Sequence, residues 1–370
     1  MSETLFVGLM LFGLLVVFLV FKVPIAFALI GASAITLVAI GLPLEVTAQR
    51  LFTSLDSFAF LAIPFFILAG NLMGYGGISE RLVGLANSLV GHYPGGLAIV
   101  SIVSCMFFAA ISGSGAATVA AIGGIMIPYM VRSGYPVGFS SAINASAGGI
   151  GIIIPPSIPL VSYAVLTGTS VIELFTGGIT AGIVIGICLI VAAILISRKH
   201  NYQTGVKATW AQRGTAFLKA IPALIMPVII LGGIYSGRFT ATESSVVAVV
   251  YGLVVGLFVY RGLNRENLPR IFKDSAISTA QILFLIAGAT LFGWLLTNYR
   301  VPDAIATNMM NLTNNPIIIL LLMNIILFVM GTFMDTVASI VIVTPILFPI
   351  AKSIGMDPVH FGIMMCSNLA

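Results

Sequence analysis

The stretch that decides the fold reads Met106-Phe107-Phe108-Ala109-Ala110-Ile111-Ser112-Gly113-Ser114-Gly115-Ala116-Ala117-Thr118-Val119-Ala120-Ala121-Ile122. Small and hydroxylated residues, 112–118, interrupt a run that is otherwise apolar. A second interruption, Gly331-Thr332-Phe333-Met334-Asp335-Thr336, stands between Ile325-Ile326-Leu327-Phe328 and the apolar residues 337–343. Hydrocarbon penalises unpaired backbone polar groups, so a break at membrane depth persists only where protein covers it or a polar cavity reaches it. One such break in each half of a chain points to a transporter's binding site near the bilayer midplane.

Composition supports a membrane reading. The 370 residues are 59% hydrophobic and 7% charged, with mean hydropathy +1.16, whereas soluble domains carry about 25% charged residues. The expected fold class is an all-α polytopic membrane protein. Arg198, Lys199, Lys207, Arg213 and Lys219 gather in one loop, and Arg261, Arg265, Arg270 and Lys273 in another. Both loops read as cytoplasmic by the Lys/Arg bias of that side, and neither has the aromatic interleaving of a nucleic-acid surface. Cys105, Cys188 and Cys366 lack metal or disulfide spacing, and the scattered His92, His200 and His360 argue against a metal-centred enzyme. Glu3 before and Lys22 after residues 5–21 oppose the charge order of a secretory signal. The segment reads as a retained span with its N-terminus outside.

A span needs about 20 apolar residues. Apolar segments cover 5–21, 24–41, 58–73, 98–131, 139–166, 175–197, 222–235, 244–260, 276–296, 316–350 and 359 onward. Amphipathic stretches at 44–55, 79–89 and 301–312 suit the interface. With both basic loops cytoplasmic, the crossing count closes only if 98–131 is a re-entrant hairpin entering from the cytoplasm. The segment 316–350 then enters from outside, so the two hairpins face each other. Internal repetition agrees. Phe66-Ile67-Leu68-Ala69-Gly70 resembles Phe284-Leu285-Ile286-Ala287-Gly288, Gly113 and Thr118 match Gly331 and Thr336, and Tyr135-Pro136-Val137 matches Asp357-Pro358-Val359. Ser146 then corresponds to Ser367. This is the pattern of an inverted-topology repeat. The expected organisation is scaffold spans and an amphipathic arm in 1–57, a first repeat with hairpin and broken helix (139–166) in 58–170, scaffold spans and basic loops in 171–275, and a second, inverted repeat in 276–370. That repeat reads as truncated at 370, because the first continues into a Pro-Pro break, and the natural protein is expected to continue.

Each candidate site residue has a structural and a functional reading. The tip at 112–118 exposes helix-end carbonyls beside Ser and Thr hydroxyls, a hard-oxygen cage for a small cation; simple close packing of small residues is the alternative. Three prolines in Pro155-Pro156-Ser157-Ile158-Pro159 rule out a continuous helix. The freed carbonyls, with Asn144 and Ser146, either complete that cage or mark a mechanical kink. Asp335 is the one acid in an interruption. It reads as a cation ligand, a proton relay, a substrate contact or the cap of a helix starting at Thr336. Arg300 reads as a partner for a substrate carboxylate or as an interfacial anchor paired with Asp303. Glu243 reads as a helix N-terminal charge.

These residues, with Pro64-Phe65-Phe66-Ile67-Leu68-Ala69-Gly70 and Gly151-Ile152-Ile153-Ile154-Pro155-Pro156-Ser157, give a pattern that resembles the large membrane subunit of tripartite ATP-independent periplasmic (TRAP) transporters along essentially the whole chain. The resemblance implies an elevator-type, sodium-driven importer of organic acids in the bacterial inner membrane. A periplasmic binding protein would deliver substrate, and a small four-span subunit would support the chain among membrane lipid. It implies one sodium site from Ser112, Gly113, Ser114, Asn144, Ser146 and Gly148, and another from Gly331, Thr332, Thr336 and Ser367 with residues beyond 370. Asp335 and Arg300, with Ser114, Pro155 and Ser157, are placed near substrate. Na+ is then the coupling ion, with no organic cofactor. Sialic acid and C4-dicarboxylates are the implied substrate classes, and Arg300 leans toward a sugar acid. The alternatives are a carboxylate transporter of the same fold working without a binding protein, an intramembrane enzyme and a channel. An aspartyl protease would need a second buried Asp.

Overall fold

A computed structural model of the chain describes residues 3–200, 202, 207–312, 315–332 and 334–370, the side chains of 306 and 308–312 excepted. Every regular element among them is helical: α1 (Glu3–Val20), α2 (Ile25–Ala39), α3 (Glu45–Leu55), α4 (Ala62–Tyr75), α5 (Ile78–Val90), α6 (Gly96–Ser112), α7 (Gly115–Thr118), α8 (Gly124–Arg132), α9 (Val137–Gly149), α10 (Ile158–Thr167), α11 (Val171–Lys199), α12 (Trp210–Tyr235), α13 (Ala241–Val254), α14 (Asn267–Asn298), α15 (Val301–Leu312), α16 (Pro316–Gly331), α17 (Thr336–Ser353) and α18 (Pro358–Asn368). A π-helical turn, Val119–Gly123, joins α7 to α8. Eight helical segments among the described residues are long and apolar enough to cross a membrane, the longest being Asn267–Asn298 and Val171–Lys199. Side chains along them, such as Leu9, Val228 and Phe258, are exposed as lipid-facing residues would be.

Local chemistry sets the helix boundaries. Thr209 with Gln212 and Thr240 with Glu243 form capping boxes at the starts of α12 and α13, each satisfying two orphan amides. Asp357 caps α18, with Pro358 at the first helical position where no amide is needed. The same order of elements runs twice along the chain: long apolar helix, amphipathic helix, helical hairpin, short helix. In the first run these are α4, α5, α6 with α7–α8, and α9. In the second they are α14, α15, α16 with α17, and α18. Both expected hairpins are therefore present as packed helix pairs.

The chain divides into two compact units. One comprises Met1–Phe60, Pro159–Leu174 and Ser278–Leu369; the other takes Leu61–Ile158 and Phe175–Ile277. The expected broken helix at 139–166 is divided after Ile158.

In the second of these units α13 lies along α4, and a small residue sets their distance: a Cβ on Gly252 would stand 3.4 Å from Met73 Sδ and 3.6 Å from Leu72 Cβ. Such small-residue contacts let helices approach closely where lipid supplies no hydrophobic drive. Asn71 Nδ2 donates to Ser275 Oγ at 2.8 Å, so the buried Ser275 hydroxyl has a partner on half-buried Asn71. The amphipathic α5 buries Ile78, Leu82, Leu85 and Ala86 against α6 and α12, so protein occupies the face that the sequence assigned to the interface. In the other unit, by contrast, α3 buries no residue. Arg50 there lies 4.5 Å over the Trp294 ring. That unit packs around Tyr163, fully buried, with Phe348 and Phe361 at ring-centroid distances of 6.1 and 6.2 Å. The Tyr163 hydroxyl donates to the Pro358 carbonyl at 2.7 Å, which fixes the start of α18 to α10.

Candidate ion and substrate site

The first hairpin turns on two residues only, Gly113 and Ser114; Ser112 still ends α6, and Gly115–Thr118 already begins the second arm. Gly113 holds φ +62, which L side chains rarely adopt, and a Cβ there would run into the Pro156 carbonyl. The Ile158 amide donates to the Gly113 carbonyl at 3.3 Å. The turn is thereby seated on the Pro-rich break between α9 and α10.

Three oxygens meet beside that turn. Thr118 Oγ1 donates to the Ser114 carbonyl at 2.8 Å, Ser112 Oγ is 3.1 Å from Thr118 Oγ1, and Ser112 Oγ is 3.4 Å from the same carbonyl. Glycines let α9 come close: a Cβ on Gly115 would be 3.2 Å from the Gly148 carbonyl, and one on Gly151 would be 2.5 Å from Thr118 Oγ1. The structure therefore brings Ser112, Gly113, Ser114 and Gly148 together. Among the described residues no three His, Cys, Asp or Glu side chains cluster. A cation held at the tip would take hydroxyl and carbonyl oxygens.

Other expected members lie elsewhere in the same unit. Asn144 is fully buried one turn before Gly148, its Oδ1 accepting from Ser101 Oγ at 2.7 Å and its Nδ2 donating to the Ser140 carbonyl at 2.8 Å. It braces α9 against α6. Ser146 is on the exposed face of α9. Pro155 and Ser157 are buried, and Ser157 Oγ donates to the Ile152 carbonyl at 2.5 Å, closing the loop across the prolines.

The second tip lies within the other unit. A Cβ on Gly331 would be 3.2 Å from the Asn368 carbonyl, and Thr336 Oγ1 donates to the Leu369 carbonyl at 3.0 Å. Here too a glycine and a threonine at either side of a turn meet the end of a short helix. Asp335 caps α17: its Oδ1 accepts from the amides of Val337 at 2.9 Å and Ala338 at 3.4 Å, and the residue is exposed. Thr332 is exposed, its hydroxyl donating to the Val329 carbonyl at 2.6 Å, and Ser367 is half-buried. Phe333 lies outside the described residues. Arg300 joins α14 to α15 in a left-handed conformation, φ +53, with its side chain exposed. The pair with Asp303 does not form.

Sequence reading missed the polar braces. Ser101 holds Asn144, and Asn368 Nδ2 donates to Asn324 Oδ1 at 2.7 Å. Asn324 is a lone polar residue in the apolar run of α16, which was the available signal there, whereas Ser101 is one of three serines in α6 and does not stand out.

Residues 12–370 match the family model described as "Tripartite ATP-independent periplasmic transporter, DctM component". The chain belongs to the DctM family. Among the relatives, the isethionate TRAP transporter permease protein DctMQ of Oleidesulfovibrio alaskensis is 47% identical over 97% of this chain. This chain spans 57% of that relative's length. The C4-dicarboxylate TRAP transporter large permease DctM of Pseudomonas aeruginosa is 44% identical, covering 87% of this chain and 75% of the relative. The sialic acid TRAP transporter large permease SiaM of Vibrio cholerae is 37% identical, covering 94% and 81%. The crystal structure of the Alcanivorax borkumensis YdaH transporter shares the fold, with TM-score 0.59 at 14% identity over 88% of this chain and 77% of that one. This DctM chain is thus a large permease of the TRAP type, a multi-pass inner-membrane protein and not an enzyme.

Proposed function

We propose that this DctM chain drives the import of a small organic anion with sodium. The observation that carries the proposal is the triangle of Ser112 Oγ, Thr118 Oγ1 and the Ser114 carbonyl, with its counterpart of Gly331 and Thr336 at the other tip. Uncharged hydroxyl and carbonyl oxygens at helix ends suit a monovalent cation, and unwound backbone at helix breaks serves coupling ions in other secondary transporters. The relatives' names span a sulfonate, C4-dicarboxylates and sialic acid. Their shared chemistry is a small oxygenated anion, and the substrate is proposed at that level. Asp335 and Arg300, both exposed, are the candidates to face it.

In this account two or more sodium ions accompany each anion, because each net positive charge moved inward gains about 2.3 kcal/mol per 100 mV. The hairpins enter from opposite leaflets and move with the broken helices as a transport domain. A periplasmic receptor supplies the anion, and a small four-span subunit braces the scaffold. Uptake into proteoliposomes containing the permease, its small subunit and loaded receptor tests the coupling. Import should need an inward sodium gradient, and equal rates with potassium replacing sodium would refute it.

A further inference from the structure

Between α5 and α12, within one compact unit, lies an open cavity of about 660 Å³ whose lining includes Glu80, Arg81, Gln212, Thr215 and Lys219. It belongs to neither hairpin. Arg81 is held on three sides: it donates to the Gly77 carbonyl at 2.5 Å, pairs with Glu80 at 3.2 Å and lies 4.4 Å over the Tyr260 ring. The Tyr260 hydroxyl donates to the Lys219 carbonyl at 2.8 Å and accepts from the Ala223 amide at 3.2 Å. The guanidinium is therefore fixed in place, and the backbone beneath Lys219 is tied down. Lys219 itself is exposed and makes no ion pair among the described residues, and the Glu80 side chain is 69% exposed. Just outside, α12 presents Trp210, Phe217 and Leu218, all well exposed.

This pattern alternates sign over the reach of one headgroup and then turns apolar. A fixed guanidinium and a free ammonium suit a phosphate. The nearby carboxylate suits a primary amine, and the apolar flank suits acyl chains. Trp210 marks headgroup depth, and the basic cluster from Arg198 to Lys219 places this end of α12 on the cytoplasmic side. Basic pockets between membrane helices on that side take lipid head groups. We propose that the cavity binds a membrane phospholipid, its phosphate against Arg81 and Lys219, with Glu80 selecting an amine headgroup.

The test uses the full chain in nanodiscs of phosphatidylethanolamine, phosphatidylglycerol or phosphatidylcholine. Retained lipid is counted by native mass spectrometry and thermal midpoints are read in parallel, with inorganic phosphate in detergent as a separate arm. The wild type should retain phosphatidylethanolamine in preference to the other two. Lys219→Ala should lower retention about fivefold, the loss expected for one cation at the surface. Glu80→Gln should abolish the preference over phosphatidylglycerol. Both residues are exposed, and an unchanged midpoint without added lipid checks that each variant is folded. Retention unaffected by Lys219→Ala, a midpoint shift from phosphate alone as large as the lipid's, or a co-purifying protein that shields Lys219 in lipid-depleted samples would each overturn the assignment.

Discussion

Thr118 Oγ1 stands 3.1 Å from Ser112 Oγ across the turn of the first hairpin, and both hydroxyls reach the Ser114 carbonyl. The contact joins the last residue of one helical arm to the first turn of the next. It gathers three oxygens beside the turn, where the Ser114 carbonyl also accepts from the Thr118 amide at 3.0 Å.

Thr118→Val keeps the shape of the side chain and removes its oxygen. Half-saturation of uptake by sodium should rise about tenfold, in line with the cost of one lost buried polar partner. Thermal unfolding of the purified protein should register the loss of about 1 kcal/mol with the hydrogen bond to the Ser114 carbonyl, and sodium titration of transport by the folded variant in proteoliposomes reads the effect on the site.

Gly113→Ala acts on the backbone. The left-handed conformation alone should cost at least about 1–2 kcal/mol, and the new methyl meets the Pro156 carbonyl. The variant should unfold at lower temperature and lose uptake. Gly134→Ala, also left-handed but with open space around it, should be the milder change in the same melt.

Asp335 separates capping from charge. Asp335→Ala should lose about 1 kcal/mol of stability with the helix cap. Asp335→Asn keeps the cap and should unfold like the wild type. If the carboxylate also faces substrate, as proposed, the asparagine variant should still show a raised KM for the anion.

Tyr163→Phe removes the hydrogen bond to the Pro358 carbonyl and should cost about 1 kcal/mol. Gly362→Ala places a methyl against the Tyr163 ring and should cost more. Chemical unfolding of the two variants in the same detergent gives the order.

Much of this architecture was legible in the sequence because lipid makes strict demands. The runs at 98–131 and 316–350 had to break at their polar centres, and they do, at Gly113–Ser114 and before Asp335. Prolines at 155, 156 and 159 rule out a continuous helix, and α9 stops at Gly149 while Pro159 lies in the first turn of α10. Individual side-chain directions were less legible. Asn144 and Ser146 stand two residues apart, so helical geometry sends them to different faces: one is buried on Ser101 and the other exposed. Pairing across distant segments, as between Asn324 and Asn368, leaves no periodic trace in a single sequence. The fate of α5 was likewise hidden, since an amphipathic pattern fits a lipid surface and a protein groove equally well.

Binding of radioactive sodium to the purified protein tests the central claim most directly. The wild type should bind sodium saturably in competition with unlabelled sodium but not potassium, and Thr118→Val with Thr336→Val should abolish that binding while the fold persists. Undiminished sodium binding by a folded double variant would contradict the account.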